Sequence, residues 1–257
     1  MPDVIVLSVS YDGTDLSGFA RQPTSDTVQG RLEAALATIL RAPVETVGAG
    51  RTDAGVHALG QLVTYEATGA EPDARAFMRS LNALCGPDVV VTGIRKAAPG
   101  FSARFSAVGR EYRYRIVPGP VAPLFLKRYA WWTPTALNLG AMREAAGCLL
   151  GEHDFRSFCA ASSAIGKRTV RRVEAIEVVP AREMGEHCIV VRIVGNAFLH
   201  SMVRIIVGSL VEVGRGKHSA LWMKDALEAC DRSAAGPTAP PQGLTLWQVD
   251  YPEECWL

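Results

Sequence analysis

The order of elements legible in this sequence predicts an α+β protein of two related halves, each laying helices on an antiparallel sheet. Three observations carry that expectation. Strand, helix, strand, helix and strand patterns fill roughly the first hundred residues. The remainder of the chain restates that order without repeating residues, and the composition shifts near residues 98–104. Residues 1–104 are accordingly assigned to a first half and residues 105–257 to a second.

Asp3 to Tyr11 alternates well enough to be a strand, and the turn-rich stretch YDGTDLSGFARQPTSD follows it. Asp26 with Gln29 three residues on has the form of a capping box. Val28, Leu32, Ala35, Leu36, Ile39 and Leu40 then recur at helical spacing. HALGQLVTYE, beginning at His57, reads as a strand. A second helix is expected to open at Pro72, a favoured first-turn residue, and to pass Phe77, Met78 and Leu81 before stopping near Gly86 and Pro87. Asp88 to Lys96 is a strand again. In the second half REYRYRIV and RYAWW are strands, Leu137 to Leu150 is a helix, and TVRRVEAIEVVP with HCIVVRIVGN has the alternation of a hairpin. Ala197 to Val213 is expected to be helical up to Gly214, Ala220 to Cys230 is another helix, and LTLWQVDY closes the chain as a strand.

The chain has 257 residues and is 48% apolar, enough to fill a sizeable core. Its opening, MPDVIVLSVSYDG, lacks the basic stretch and cleavage site of an export signal. The apolar run from Asn196 to Val213 carries His200, Arg204 and Glu212 and falls short of the ~20 residues a bilayer span requires. A cytoplasmic protein is expected. Six scattered cysteines without a C-x-x-C pair indicate reduced thiols rather than a zinc site or a disulfide framework. The formal net charge of +1 leaves the partner to be read from local charge.

The stretch GAGRTDAGVHA, residues 48–58, is the densest in chemistry. It fails the dinucleotide fingerprint, because Asp53 stands where the third glycine belongs and the stretch leads from a helix into a strand. It fails as a triphosphate loop because Gly55-Val56-His57 supplies neither the lysine nor the hydroxyl. The zinc deaminase pattern, H-x-E followed by P-C-x-x-C, is absent. On residue types alone Asp53 is either a turn former or a carboxylate of metal-free chemistry. Arg51 is placed to hold it ionised, and Gly50 and Gly55 allow a bulky ligand close to the backbone.

In GREYRYRI, period two sets Tyr112, Tyr114 and Ile116 on one face and Glu111, Arg113 and Arg115 on the other. Arg95, Lys96, Arg104 and Arg110 precede it, and KRTVRR at 167–172 adds a second basic cluster. Basic residues flanking aromatic ones match the phosphate-plus-stacking logic of RNA binding, although a solvated arginine edge with core tyrosines behind it gives the same pattern. Arg204 lies within FLHSMVRIIVGSLVEV, so its guanidinium must snorkel or meet a buried acid, for which Asp53 is chemically suited. His57 and His200 are either acid/base groups or hydrogen-bonded structural residues.

The ordered motifs GAGRTDAGVHALGQ, FSARFSAVGREYRYRI, GNAFLHSMVRIIVGSLVEVGRGK and GLTLWQVDYP resemble those of the TruA family of tRNA pseudouridine synthases, from SVSYDGT to the closing VDYP. The resemblance implies a pseudouridine synthase fold, two related halves with a central active-site cleft. It implies that Asp53 is catalytic, that Tyr112 stacks on the target uracil, that Arg204 pairs with the catalytic carboxylate, and that Arg51 displaces or holds the flipped nucleotide. The family's first loop reads GWQRQ where this chain has Gly18-Phe19-Ala20-Arg21-Gln22: Phe19 keeps an aromatic surface there, and Ala20 lacks the amide. The implied activity is isomerisation of uridine to pseudouridine at positions 38, 39 and 40 of the tRNA anticodon stem-loop, by a homodimer, with no cofactor and no metal. Two rivals of other classes, an inactive RNA-binding module and a nucleoside hydrolase using Asp53 with His57, use the same residues.

Overall fold

The computed structural model describes residues 3–257, the side chains at 162 and 163 excepted. In chain order its strands and helices are β1 (Val4–Tyr11), α1 (Val28–Leu40), β2 (Val47–Gly48), β3 (His57–Glu66), α2 (Ala74–Cys85), β4 (Val89–Ala97), β5 (Gly109–Pro118), β6 (Trp131–Thr133), α3 (Leu139–Gly147), β7 (Gly151–Asp154), α4 (Ala161–Ala164), β8 (Val170–Glu183), β9 (Glu186–Gly195), α5 (Met202–Gly214), α6 (Ala220–Glu228) and β10 (Leu244–Asp250). Two compact units result: the chain up to Gly109 together with Thr245–Leu257, and Arg110–Leu244. The first crossing lies near the compositional boundary at 104/105. The closing strand, however, returns to the first unit, which a boundary drawn from linear composition does not register.

In the first unit the strand order is β4-β1-β3-β10, with β2 on β3. β1 is antiparallel to both β3 and β4, and Val6, Leu7 and Val9 are fully buried, as a central strand covered on both faces requires. β10 pairs parallel to β3, Thr245 opposite His57, a geometry that only a long connection permits. α1 packs on α2, and α2 on β4. The cap of α1 falls one residue later than the capping box implied. The Thr27 hydroxyl accepts the Gly30 amide at 3.2 Å, while the Asp26 carboxylate is bound by Arg31. Likewise α2 starts after Asp73, whose carboxylate accepts the Arg75 and Ala76 amides, so Pro72 precedes the cap.

In the second unit the order is β5-β9-β8-β7, all antiparallel, with the short β6 parallel to β5. The β8–β9 hairpin turns through Met184 and Gly185 with φ of 51° and 86°, the two positive values that a tight hairpin of this twist needs. α3, α5 and α6 pack together, and α3 lies on β8. α5 is buried on most of its surface, and at Gly208 the Pro237 carbonyl approaches so closely that an added Cβ would sit 1.8 Å from it. α5 begins at Met202 rather than Ala197, because Ser201 adopts a left-handed conformation (φ 60°) and keeps Phe198 to His200 in a loop. The expected strand RYAWW is reduced to Trp131–Thr133, since Leu126–Arg128 forms a 3-10 turn whose entering amides donate to the Glu186 carboxylate. Among the described residues no helix is long and apolar enough to cross a membrane, and all six cysteines are free thiols.

Candidate active site

The loop carrying Asp53 is fixed by its neighbours. The Asp53 carbonyl accepts the Val56 amide at 3.2 Å across a turn whose third residue, Gly55, has φ 78°, the left-handed value such a turn asks of glycine. The side chain of Gln61, fully buried, grips Gly50 from both sides: its Nε2 donates to the Gly50 carbonyl at 2.9 Å and its Oε1 accepts the Gly50 amide at 3.4 Å. Thr52 shares a 2.8 Å hydrogen bond with the Tyr11 hydroxyl, and its carbonyl accepts the Phe19 amide. Three glycines outside the turn let the 11–19 segment lie against this loop. A Cβ on Gly13 would meet the Val56 carbonyl at 2.1 Å, one on Gly18 the Thr52 carbonyl at 2.8 Å, and one on Gly48 the Phe19 ring at 2.4 Å. Asp53 is half-buried on this clamped backbone, and Arg51 is exposed beside it.

Phe19 therefore differs from its expected role. It is 2% exposed, 6.4 Å from the Tyr11 ring, and seated on Gly48 beneath the loop, so it is core rather than an aromatic surface. The remainder of its motif is held from α1: Gln29 accepts the Arg21 amide, and Arg21 reaches Glu33 at 2.9 Å. Phe19→Ala is expected to cost about 3–5 kcal/mol of stability, measured by denaturant unfolding, because it empties a closed space under the loop. A loss below about 1 kcal/mol would mean that the ring does not support the loop. His57 takes the structural of its two alternatives. The residue is 4% exposed, and Nδ1 accepts the Gly13 amide at 3.1 Å while lying 3.1 Å from an Asp12 carboxylate oxygen.

In the second unit Tyr112 lies on β5, 8% exposed, with its ring edge-to-face on Phe198 at 5.2 Å. Tyr114 on the same face is core, its hydroxyl donating to the Pro240 carbonyl at 2.7 Å. Arg204 stands in the first turn of α5, where its Nε donates to the Ala239 carbonyl at 2.8 Å and the Ala239 amide donates back to the Arg204 carbonyl at 3.0 Å. This backbone partner fixes the Nε side of the guanidinium. Two arginines of the basic strand and one of β9 pair with acids: Arg113 binds Glu111 at 2.7 Å, Arg115 binds Glu183 at 2.6 Å, and Arg192 binds both Glu111 and Glu177, while Arg110 donates to the Asn196 carbonyl at 2.7 Å. Although burial pushes the Glu111 carboxyl up, its bonds to Arg192 and Arg113 hold it below the ordinary range. Lys96 likewise binds Asp3 at 2.8 Å, and the Arg95 guanidinium lies 3.3 Å over the Trp256 ring. Arg51 and Asp53 thus share one loop of the first unit, and Tyr112 and Arg204 belong to the second. The supporting roles of Gln61, Gly13 and Gly48 carry little signal in the sequence, a glutamine inside the apolar strand HALGQLVTYE being the visible one.

An aspartate displayed on a rigid loop offers a carboxylate held in a fixed position. The family profile described as tRNA pseudouridine synthase matches residues 145–252. Relatives called tRNA pseudouridine synthase A are 44% identical over 244 residues in Brevibacillus brevis, covering 95% of this chain and 97% of that one. In Geobacter sulfurreducens the figure is 44% over 247 residues (96% and 99%), and in Ralstonia nicotianae 46% over 253 residues (97% and 90%). The chain belongs to the tRNA pseudouridine synthase A family. Among solved structures a Cbf5–Nop10–Gar1 complex is similar at a TM-score of 0.35 and 14% identity, over 90% of this chain and 69% of that one, too loosely to bear on geometry.

Proposed function

We propose that this isomerase converts uridine to pseudouridine at positions 38, 39 and 40 of the tRNA anticodon stem-loop, with Asp53 as the catalytic residue. The observation that carries the reading is the similarity of the whole chain, at 44% identity, to tRNA pseudouridine synthase A. The rigid mounting of Asp53 supports it, because a group that attacks one atom of a flipped nucleotide must be held within about half an ångström of its working position.

The reaction breaks the N1–C1′ bond, rotates the uracil and forms a C5–C1′ bond, with the C5 proton passing to N1 or to water and no change in oxidation state. Asp53 acts as nucleophile at C1′ or C6, or as the base that takes the C2′ proton to give a glycal. Tyr112 stacks on the extruded base and repays part of the few kcal/mol that flipping costs. Arg204 keeps the carboxylate ionised, and Arg51 holds the displaced nucleotide. The enzyme works as a cytoplasmic homodimer without a cofactor.

The direct test uses tRNA tritiated at uracil C5. Release of tritiated water without free uracil is the expected result. Free uracil would instead identify a hydrolase, and binding without release an RNA-binding module. Tyr112 is resolved by two variants in the same assay. Tyr112→Ala is expected to lower turnover by about 10- to 100-fold through lost stacking. Full turnover in Tyr112→Phe shows that the hydroxyl does not relay the C5 proton, and an equal fall in both variants shows that it does.

A further inference from the structure

Two basic clusters stand out in the sequence, and the structure treats them differently. Arg95 and Lys96 of the first are engaged by Trp256 and Asp3, Arg110 by the Asn196 carbonyl, and Arg113, Arg115 and Arg192 by glutamates. The second cluster, at 167–172, gathers further cations instead. Phe155 and Phe158, both fully buried, anchor the turn that carries Arg156. The Phe155 amide donates to the Thr169 carbonyl at 3.1 Å, tying in the segment of Arg168 and Arg171, and the Asp231 amide donates to Ser157 Oγ at 2.8 Å, tying in Arg232.

Three segments therefore bring four guanidiniums into one electrostatic neighbourhood. Burial pushes the Cys159 thiol up, as does Asp154, while Arg156, Arg171 and Arg232 all act on it in the opposite sense. Burial pulls Arg171 down, and the charge of Arg168 adds to that. Among the described residues Asp154 is the carboxylate paired with the four, 3.4 Å from Arg156. Arg171 spends one terminal nitrogen on the Arg168 and Val170 carbonyls, and its Nε is closed off from solvent with no acceptor. Crowding like charges around a buried donor costs folding energy, and an anion lodged among them removes that cost. Arginine is also the side chain whose planar fork matches phosphate oxygens.

We infer that Arg156, Arg168, Arg171 and Arg232 form a docking site for backbone phosphates of the RNA substrate. The inference rests on the reading of this chain as a tRNA-modifying enzyme. It adds a place where the tRNA backbone is gripped independently of the target uridine.

The test is the dependence of tRNA affinity on salt. Each phosphate neutralised contributes about 0.7–0.9 to the slope of log K against log salt. The double variant Arg168→Gln, Arg171→Gln is expected to flatten that slope by about 1–2 and to weaken binding about tenfold at ~0.1 M salt, equally for tRNA with and without the target uridine. Arg168→Lys, which keeps the charge, should retain the slope, and Lys96→Gln, whose cation already has Asp3, should leave it unchanged. An unaltered slope in the double variant overturns the site, and so does a loss of affinity with no change in slope, which is the mark of disturbed folding. Tritium release by the unaltered enzyme is read separately, so failure of the proposed reaction and failure of this site are distinguished.

Discussion

Asp53→Asn is expected to abolish tritium release from C5-labelled tRNA, by about 10⁴-fold or more, while tRNA binding and thermal stability stay near those of the unaltered enzyme. The magnitude follows from the role: removing a group that forms or breaks bonds to the substrate eliminates the reaction path, whereas removing a binding contact only raises its cost. The expected retention of fold follows from how the loop is held. Gln61 grips Gly50, Tyr11 and Phe19 hold Thr52, and the turn at Gly55 is closed by the Asp53 carbonyl, which asparagine keeps. Asparagine also matches the shape of aspartate and tolerates turns, so the backbone has no reason to move. Single-turnover tritium release and filter binding with the same labelled tRNA supply both quantities. Turnover within tenfold of the unaltered enzyme would remove Asp53 from the chemistry, and loss of binding in proportion to activity would make it a binding residue.

Local signals told most about the elements whose boundaries they mark. HALGQLVTYE is β3 to the residue, because a long apolar-rich run ending in polar residues has one extended reading. The hairpin of β8 and β9 was visible from alternation, and the helical spacing from Val28 to Leu40 gave α1 its span. Helix caps differ by a residue or two from the expected ones, since Asp26 and Thr27 are both good caps and the choice falls to Thr27 because Arg31, within α1 itself, takes the Asp26 carboxylate. The start of α5 was hidden because a left-handed serine breaks a helix without any glycine or proline to announce it. In the site, Asp53 stood out by its company, but what holds it did not. Close approaches at Gly13, Gly18 and Gly48 depend on segments distant in sequence meeting backbone to backbone, and a lone glycine does not say what it makes room for. The same limit explains the basic strand. Whether Arg115 and Arg192 serve RNA or glutamates is fixed by the register of β5 on β9 and of β9 on β8, which places Glu183, Glu111 and Glu177 within reach, while the Arg113–Glu111 pair forms within β5 itself.

Arg204→Gln is expected to lower the single-turnover rate by about 10²- to 10³-fold while changing the dissociation constant for tRNA by less than about threefold. That range is what loss of one preorganised electrostatic partner costs inside a closed site. The proposed role makes the asymmetry: a cation that keeps the catalytic carboxylate ionised acts on the reacting group and not on the tRNA backbone, so its loss is felt after binding. Its setting argues that the position is fixed. Nε is committed to the Ala239 carbonyl and the Ala239 amide returns to the Arg204 carbonyl, which orients the side chain at the start of α5. The segment it bonds has other anchors, since the Gly236 amide donates to Ser209 Oγ and Pro237 packs on Gly208, so the fold does not depend on the guanidinium alone. Arg204→Lys separates charge from structure. A lysine keeps the positive charge and forfeits the Nε bond, so recovery of at least tenfold over the glutamine variant supports an electrostatic role. Equal damage in both variants, with matching losses in thermal stability, would make Arg204 a clamp on residues 236–240, and equal losses in rate and affinity would make it an RNA contact.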